Sequence, residues 1–447
     1  MPTSDVGPRR ALAPWVGLLV TLALVATAIL WPMLTGWDTA TRRDDHEQFP
    51  PLHGFWLPGF GRGTAPAIAI ALVTWWLAAE WAQRLPWRGL LLASYAVGLG
   101  WLLALAYVDG PAGLERSLGN EYEYLPTARQ TASDEQSIGV MLDGFVDRIP
   151  KESEDNWVTH VAGHPPGALL FFVVLVRLGL GGDRDAGLVV TALAASTACA
   201  VLVALRALGA EEHARRAAPF LVMTPAAVFM AVSADAMFAA VGAWGLAALA
   251  LAATGSSWTR VVLWSVAAGL LLGACVLLSY GLPLLGLLAV AVLVAARSWT
   301  PLPIAATTAL GVVLGFALAG FSWWEAFPVL RERYYDGVAT DRPMSYWWWG
   351  NLAALAICAG PLVGAGLAMF RRRTDRAVLL LVAAAALAIA LADASGMSKA
   401  EVERIWLPFV PWLTVSVALL PERWRRWGFG LQVAGALAVQ HLLYTSW

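Results

Sequence analysis

The chain of 447 residues has a net charge of −1, with 59% hydrophobic and only 14% charged residues. In a soluble protein about a quarter of all residues are charged, so the composition excludes an ordinary soluble enzyme. The lack of a basic surplus argues against a nucleic-acid-binding surface. Apolar runs reach spanning length, and backbone groups in lipid must bond within helices, so an all-α membrane protein is expected.

Apolar segments recur along the whole chain, and they predict a polytopic transmembrane helical bundle of about 12–14 spans. The segments are 11–34, 64–81, 89–108, 166–180, 187–208, 217–230, 234–253, 261–278, 281–296, 303–321, 350–370, 377–392, 405–420 and 429–443. We expect an N-terminal transmembrane hairpin over 1–88, a transmembrane core over 89–420 and a C-terminal transmembrane helix over 421–447.

Arginines predict how the bundle is oriented in a cell membrane. Arg9 and Arg10 precede the first apolar run, and no convincing cleavage site follows, so the N-terminus is expected to be cytoplasmic. Arg84 and Arg88, between the second and third spans, are then also cytoplasmic. The long polar segment 108–164 therefore faces outward.

One pair of arginines conflicts with this topology. Simple alternation from the outward loop would place Arg215 and Arg216 outside, whereas 371–373 and 423–426 fall on the cytoplasmic side. Either the short segment 166–180 is not a full span, or a later segment is re-entrant.

The outward loop 108–164 holds eleven Asp or Glu residues against four Arg or Lys. Glu121 and Glu123 follow a span by about thirteen residues, close to the membrane surface, where one carboxylate could act as a general base. The stretch 140–149 has the apolar pattern of an amphipathic helix lying in the interface. Its own acids then belong to the polar face of that helix.

Two further polar residues stand beside apolar segments. His164 precedes Pro165-Pro166, which suits the first turn of a helix, so His164 could hold a phosphate or carboxylate at a helix N-terminus. Asp235 has apolar residues on both sides, and a carboxylate at such depth usually marks function or an internal ion pair. A helix cap is the simpler alternative.

Late in the chain, two segments combine basic and aromatic or acidic residues. Tyr335 could contact a sugar and Arg342 a phosphate, although a simple polar connector fits this stretch equally well. The run 346–349 (Tyr-Trp-Trp-Trp) is typical of an interface anchor or of a wall for a lipid or sugar. Arg404 enters the membrane beside Glu401, and its planar fork suits a phosphate headgroup.

Together, the outward acidic loop, the His164-Pro-Pro helix start, Asp235 and segment 403–408 (Glu-Arg-Ile-Trp-Leu-Pro) resemble the GT-C superfamily. These integral-membrane glycosyltransferases use polyprenyl-phosphate sugars, and actinobacterial cell-wall enzymes are among them. The resemblance covers about residues 89–420, and it implies a GT-C-like bundle with short interfacial helices in the outward loop.

The resemblance also implies roles for particular residues. Glu121 or Glu123 would be the catalytic acid of the first large outward loop, and Arg404 would help to bind the donor phosphate. Family members often show Asp or an Asp-Glu pair where this chain has Glu-Tyr-Glu, so both glutamates stay candidates. Asp44 and Asp45 are a rival acidic pair that ranks second, because two spans separate them from the His-Pro-Pro element.

The function implied is a hexosyl- or pentosyltransferase of cell-wall biogenesis. It would move a sugar from a polyprenyl-phosphate donor to a hydroxyl of an envelope glycan, lipid or protein, with inversion. No cofactor is required, and a divalent metal is compatible with the pattern. The alternative is a multi-span transporter or lipid flippase, for which Pro225 and Pro283 inside apolar segments are modest signals.

Overall fold

The chain folds into a helical bundle, as shown by a computed structural model that describes residues 8–41, 48–133, 138–337, 339–371 and 374–445. A single two-stranded antiparallel sheet occurs in these ranges, made of β1 (Gly54–Trp56) and β2 (Leu443–Thr445). The expected all-α polytopic architecture is confirmed for this part of the chain.

The helices of the first third include three long ones and several short ones in the polar loop. They are α1 (Pro8–Thr35), α2 (Thr64–Arg84), α3 (Trp87–Ala106), α4 (Ala112–Gly119), α5 (Tyr124–Ser133), α6 (Ile138–Asp143) and α7 (Thr159–Ala162). The amphipathic helix expected over 140–149 is shorter than the pattern suggested, because α6 ends at Asp143, just before a glycine.

The remaining helices alternate between long and short. They are α8 (Pro166–Arg177), α9 (Asp183–Ala207), α10 (Glu211–Val222), α11 (Ala227–Met230), α12 (Ala234–Ala253), α13 (Trp258–Leu278), α14 (Leu285–Ala296), α15 (Leu302–Leu318), α16 (Trp323–Tyr335), α17 (Met344–Ala359), α18 (Leu362–Leu367), α19 (Arg376–Ala394), α20 (Val402–Ile405), α21 (Val410–Thr414) and α22 (Glu422–Leu442). Single 3-10 turns cover Tyr107–Asp109, Leu282–Leu284 and Val415–Leu419.

Seven helices in the described ranges are long and apolar enough to cross a membrane, or up to eight if the bent pair α15–α16 counts as one span. This is fewer than the 12–14 spans expected from apolar segments. The difference arises because several apolar segments are divided among short helices. Segment 217–230, for example, is split into α10 and α11 at Thr224-Pro225, where proline offers no backbone N–H to continue a helix.

Helix α8 begins and ends at the same end of the bundle. It has only 12 residues, and it packs along α5 of the polar loop. The residues that follow α8 are held by Arg129 of α5. Arg129 donates to the Gly181 carbonyl at 2.8 Å and pairs with Asp183, the first residue of α9, at 2.5 Å. Helix α9 therefore starts beside the loop 108–164, at what we call the loop end, and α8 is not a full span.

The opposite end of the bundle is defined by arginines, and we call it the arginine end. Arg215 of α10 donates to the carbonyls of Ala82 and Leu85, where α2 finishes, at 2.9 and 3.0 Å. Arg215 thus lies at the same end as Arg84. The conflict in the expected topology is removed, because α9 runs from the loop end to the arginine end.

The small sheet joins distant parts of the chain at the loop end. β1 follows α1 and pairs with β2, which follows α22, with Gly54 opposite Thr445. A Cβ at Gly54 would lie 2.6 Å from the Tyr444 carbonyl oxygen, so only glycine permits this approach. The pairing holds the backbone N–H of the neighbouring His53 against the carboxylate of Glu403 in α20.

Candidate active site

Four short segments bring polar side chains together at the loop end. Glu123 stands just before α5, His160 lies in α7, Asp235 in the first turn of α12, and Arg404 in α20. With Glu401, these residues are called the polar cluster below. All are held at helix ends, where local backbone geometry sets their direction.

Local turns aim two of the acids into the cluster. The side-chain oxygen of Asn120 accepts from the backbone N–H of Tyr122 at 2.9 Å. The backbone carbonyl of Asn120 accepts from the N–H of Glu123 at 3.0 Å. This turn directs Glu123 inward. At the start of α12, the Ser233 hydroxyl accepts from the Asp235 N–H at 3.1 Å, a helix cap that fixes the first turn.

Arg404 is the centre of the polar cluster. Its Nη1 donates to Asp235 Oδ2 at 2.5 Å, and its Nη2 lies 3.0 Å from both Glu401 Oε2 and His160 Nε2. Burial alone would lower the pKa of Arg404, but the charges of Asp235, Glu401 and Glu123 raise it above its ordinary value. The buried guanidinium therefore stays charged.

His160 is neutral and links Arg404 to Glu123. Burial and then the Arg404 charge lower the pKa of His160 to about 4. Because Nε2 accepts from the guanidinium, the proton sits on Nδ1, which faces Glu123 Oε1 at 3.2 Å and the Tyr122 carbonyl at 3.0 Å. We infer this tautomer from the hydrogen-bond partners.

Glu123 has the properties of a base that works near neutral pH. Glu123 is only 7% exposed, and this burial raises its pKa to about 7. The positive charge of Arg404 opposes the rise, and Asp235 adds to it. A carboxylate in this range is half ionised at neutral pH, and it is a much stronger base than an ordinary glutamate.

Two arginines share one carboxylate at the edge of the cluster. Glu401 Oε1 accepts from Arg342 Nη2 at 3.2 Å, while its other oxygen contacts Arg404. Burial would raise the pKa of Glu401, but the charges of His53, Arg342 and Arg404 bring it well below its ordinary range. Ala400 and Glu401 both have left-handed backbone angles, φ 65° and 60°, a strained geometry that is common at functional sites.

Glu403, the residue before Arg404 in α20, carries another buried carboxylate. Glu403 is 0% exposed, and its Oε1 accepts from the His53 N–H at 3.0 Å. Its Oε2 has no hydrogen-bond partner among the described residues. Burial raises the pKa of Glu403 to about 7.

The structure separates the two glutamates that the sequence left open. Glu121 is exposed at the surface of the loop, while Glu123 belongs to the polar cluster. Asp235 and Arg404 form a direct buried ion pair, so the predicted depth of Asp235 is explained by an internal partner. The rival pair Asp44 and Asp45 lies outside the described residues.

His164 and Tyr335 both bond to backbone carbonyl groups of the protein. His164 Nδ1 bonds to the His160 carbonyl at 2.9 Å, and its ring packs against Tyr124 and Phe238. Burial lowers its pKa to about 4. The Tyr335 hydroxyl donates to the Gly396 carbonyl at 3.4 Å.

Arg342 and the tryptophan run serve partly to hold the chain together. Besides Glu401, Arg342 donates to the carbonyls of Ala40, Thr41 and Lys399. Trp347 donates to the Thr39 carbonyl at 2.9 Å. The first half of the run 346–349 is therefore buried against the end of α1, and it is not an open wall for a ligand.

Sequence reasoning missed His160, Glu403 and His53. A signal for the first was present, because His160 and His164 are four residues apart, on one face of a helical turn. Nothing local marks His53, which reaches the cluster through the pairing of β1 and β2. Among the described residues, no three His, Cys, Asp or Glu side chains are placed to hold a metal ion.

No family model matches the chain, and no curated protein matches it. Two solved structures are similar to it, both of ArnT from Cupriavidus metallidurans. The one bound to undecaprenyl phosphate has a TM-score of 0.49 and 17% identity over 75% of this chain, and the apo form has 0.48 and 17% over the same share. The chain covers 61% of the ArnT chain, which is less than two thirds of its length.

Proposed function

We propose that the chain is a membrane glycosyltransferase, with Glu123 as its catalytic base. The substrates would be a polyprenyl-phosphate sugar donor and a hydroxyl of an envelope glycan, lipid or protein at the loop end. The observation that supports this most is a buried carboxylate of pKa about 7 beside a buried, permanently charged Arg404. Inverting transfer to a hydroxyl needs such a base and such a cation.

Glu123 would take the acceptor proton. As the acceptor oxygen forms a bond to the anomeric carbon, its proton passes to the carboxylate, and the bond to the prenyl phosphate breaks with its electron pair. His160 donates through Nδ1–H toward Glu123 and so fixes the direction of the base. Phosphate is a good leaving group, so the transfer needs no second acid, and the site supplies position and charge.

Arg342 and Arg404 would hold the leaving phosphate. Arg342 donates to one carboxylate oxygen of Glu401 at 3.2 Å, and Arg404 donates to the other at 3.0 Å. A phosphate presents the same pair of acceptor oxygens to a guanidinium fork as a carboxylate does. The donor phosphate would therefore replace or flank Glu401, while Asp235 keeps Arg404 in place.

The test is a sugar-transfer assay with the purified protein in lipid nanodiscs. The donors are radiolabelled polyprenyl-phosphate pentoses and hexoses, and the acceptor is a mixed envelope extract. Release of prenyl phosphate is measured for the wild type, Glu123→Gln and Glu121→Gln. Loss of a general base costs about 10²–10⁴-fold in rate, so we expect at least a hundredfold loss for Glu123→Gln.

Glu121→Gln is the matched control, because it removes the same charge two residues away at an exposed position. We expect its rate to stay within about twofold of the wild type, as surface changes usually have small effects. Equal rates for the wild type and Glu123→Gln would overturn Glu123 as the base. If no donor is consumed but labelled lipid crosses the bilayer of sealed proteoliposomes that contain the protein, a flippase replaces the transferase proposal.

A further inference from the structure

Four arginines line one cavity at the arginine end of the bundle. Arg215 and Arg216 project from α10, and Arg425 and Arg426 from the start of α22, around a space of about 320 Å³ that is partly open to solvent. Trp75 of α2 and Phe220 of α10 contribute apolar walls. We call this site the arginine pocket; it lies at the opposite end from the polar cluster.

The two arginines on α10 are held in position by neighbouring groups. Arg215 pairs with Glu211 at 2.8 Å and also donates to carbonyls at the end of α2. Arg216 pairs with Glu212. Their guanidinium groups are therefore presented to the pocket by a fixed framework, with little side-chain entropy left to lose on binding a ligand.

The two arginines on α22 are less well compensated. Arg425 Nε is buried and has no hydrogen-bond partner among the described residues. Burial and then repulsion by Arg216 lower the pKa of Arg425, and Glu422 and Glu212 offset this only in part. The pocket therefore carries positive charge in excess of its neighbouring acids, together with a donor that a ligand could satisfy.

Tryptophans with exposed side chains stand beside the pocket. Trp75 and Trp76 are 40% and 66% exposed on the outer face of α2, and Trp427 is 37% exposed beside the arginines. The Arg426 guanidinium lies 5.8 Å from the Trp76 ring. Trp427 shares the start of α22 with Arg426, and tryptophan beside arginine at a helix end is typical of the membrane–water interface.

We propose that the arginine pocket binds the phosphodiester headgroup of an anionic phospholipid. A planar guanidinium fork matches a pair of phosphate oxygens, and a basic pocket between helices at the arginine end of the bundle favours anionic over zwitterionic headgroups. The acyl chains would extend along the exposed tryptophans of α2. This site is independent of the transfer reaction proposed above.

The test is native mass spectrometry of the purified protein titrated with phosphatidylglycerol, phosphatidylcholine or inorganic phosphate. We expect phosphatidylglycerol to bind at least tenfold more tightly than phosphatidylcholine. The double variant Arg425→Gln, Arg426→Gln should bind phosphatidylglycerol roughly thirtyfold more weakly, since each arginine near an anionic surface contributes about fivefold in affinity.

The matched control is Arg260→Gln with Arg371→Gln, which removes two exposed arginines outside the pocket. It should bind phosphatidylglycerol like the wild type. Equal binding of the two lipids by the wild type, which requires no variant, would overturn the proposal. So would displacement of bound phosphatidylglycerol by millimolar inorganic phosphate, because the pocket would then be a soluble-anion site.

Discussion

Arg404 determines the protonation of the residues around it. Its charge helps to keep the pKa of His160 low and that of Glu401 below its ordinary range, and its guanidinium bonds directly to Asp235, Glu401 and His160. Buried charges are stable only when they are paired, so this network has few alternative arrangements. With a pKa of about 7, Glu123 is near the midpoint of its titration at neutral pH.

The first prediction from this network concerns pH. If Glu123 must be ionised to act, kcat/KM should rise about tenfold per pH unit below about 7 and become constant above it. Asp235 raises the pKa of Glu123, so Asp235→Asn should move the midpoint to lower pH. The measurement is the pH–rate profile of donor consumption.

Asp147→Asn is the control for that profile, because Asp147 is an exposed acid of the same loop. Its midpoint should coincide with that of the wild type. A midpoint for Asp235→Asn that stays unchanged or moves to higher pH would contradict the electrostatic link between Asp235 and Glu123.

A second prediction concerns Glu403 and stability. The folded-state pKa of about 7 lies above the ordinary 4.5, so the folded protein binds the proton more tightly than the unfolded chain. The stability this provides is complete below about 4.5, and it is lost as pH rises through about 7, by at most about 1.4 kcal/mol per pH unit. Glu403→Gln keeps an acceptor for the His53 N–H and has no charge to bury.

The Tm of Glu403→Gln should therefore exceed that of the wild type at pH 8, and the difference should become small at pH 5. Thermal unfolding in detergent at both pH values measures this. Glu332→Gln, a substitution of an exposed glutamate on α16, is the comparison and should show no such pH-dependent gain. A lower Tm for Glu403→Gln at pH 8 would mean that Glu403 is charged and paired in the folded protein.

The residues of the cluster show what sequence could and could not reveal. The acidic loop and Arg404 stand out locally, and both contribute to the cluster. The choice between Glu121 and Glu123 could not be made, because it depends on the turn at Asn120. The partner of Asp235 lies 169 residues away, a distance that no local pattern spans.

At the level of helices, length decided which apolar segments cross the membrane. Hydropathy located the long apolar helices of the bundle, but it could not distinguish a full span from a short helix such as α8. A helix needs about 20 residues to cross the hydrocarbon, and α8 has 12. The contact of Arg129 with Asp183 then decides the direction of α9, and that contact is tertiary.

The path of α8 gives a prediction that labelling can test. In a background with Cys199, Cys275 and Cys358 replaced by alanine, single cysteines are placed at Asn156 and Arg184, on either side of α8. A membrane-impermeant maleimide should label both positions from the same side of the membrane, because both lie at the loop end.

Ser256→Cys, between α12 and α13 at the arginine end, is the opposite-side control. It should be labelled only after the membrane is opened. If position 184 is labelled together with 256 and not with 156, α8 crosses the membrane and the description of α9 is wrong.

The whole molecule is divided electrostatically between its two ends. Acids of the loop 108–164 and the polar cluster lie at one end, while Arg84, Arg215 and the arginines of α22 lie at the other. A surplus of arginine is typical of cytoplasmic ends. This division fits the predicted cytoplasmic N-terminus, which stays a prediction.

The shortness of α8 also has a consequence for how the protein is made. During insertion each hydrophobic segment is accepted or passed over, and an additional crossing at α8 would invert every helix that follows. Asp235 and Arg404 would then emerge on one side of the bilayer, and Glu123 and His160 on the other. Extending the apolar run of α8 to spanning length would therefore divide the polar cluster between two compartments without altering any residue in it.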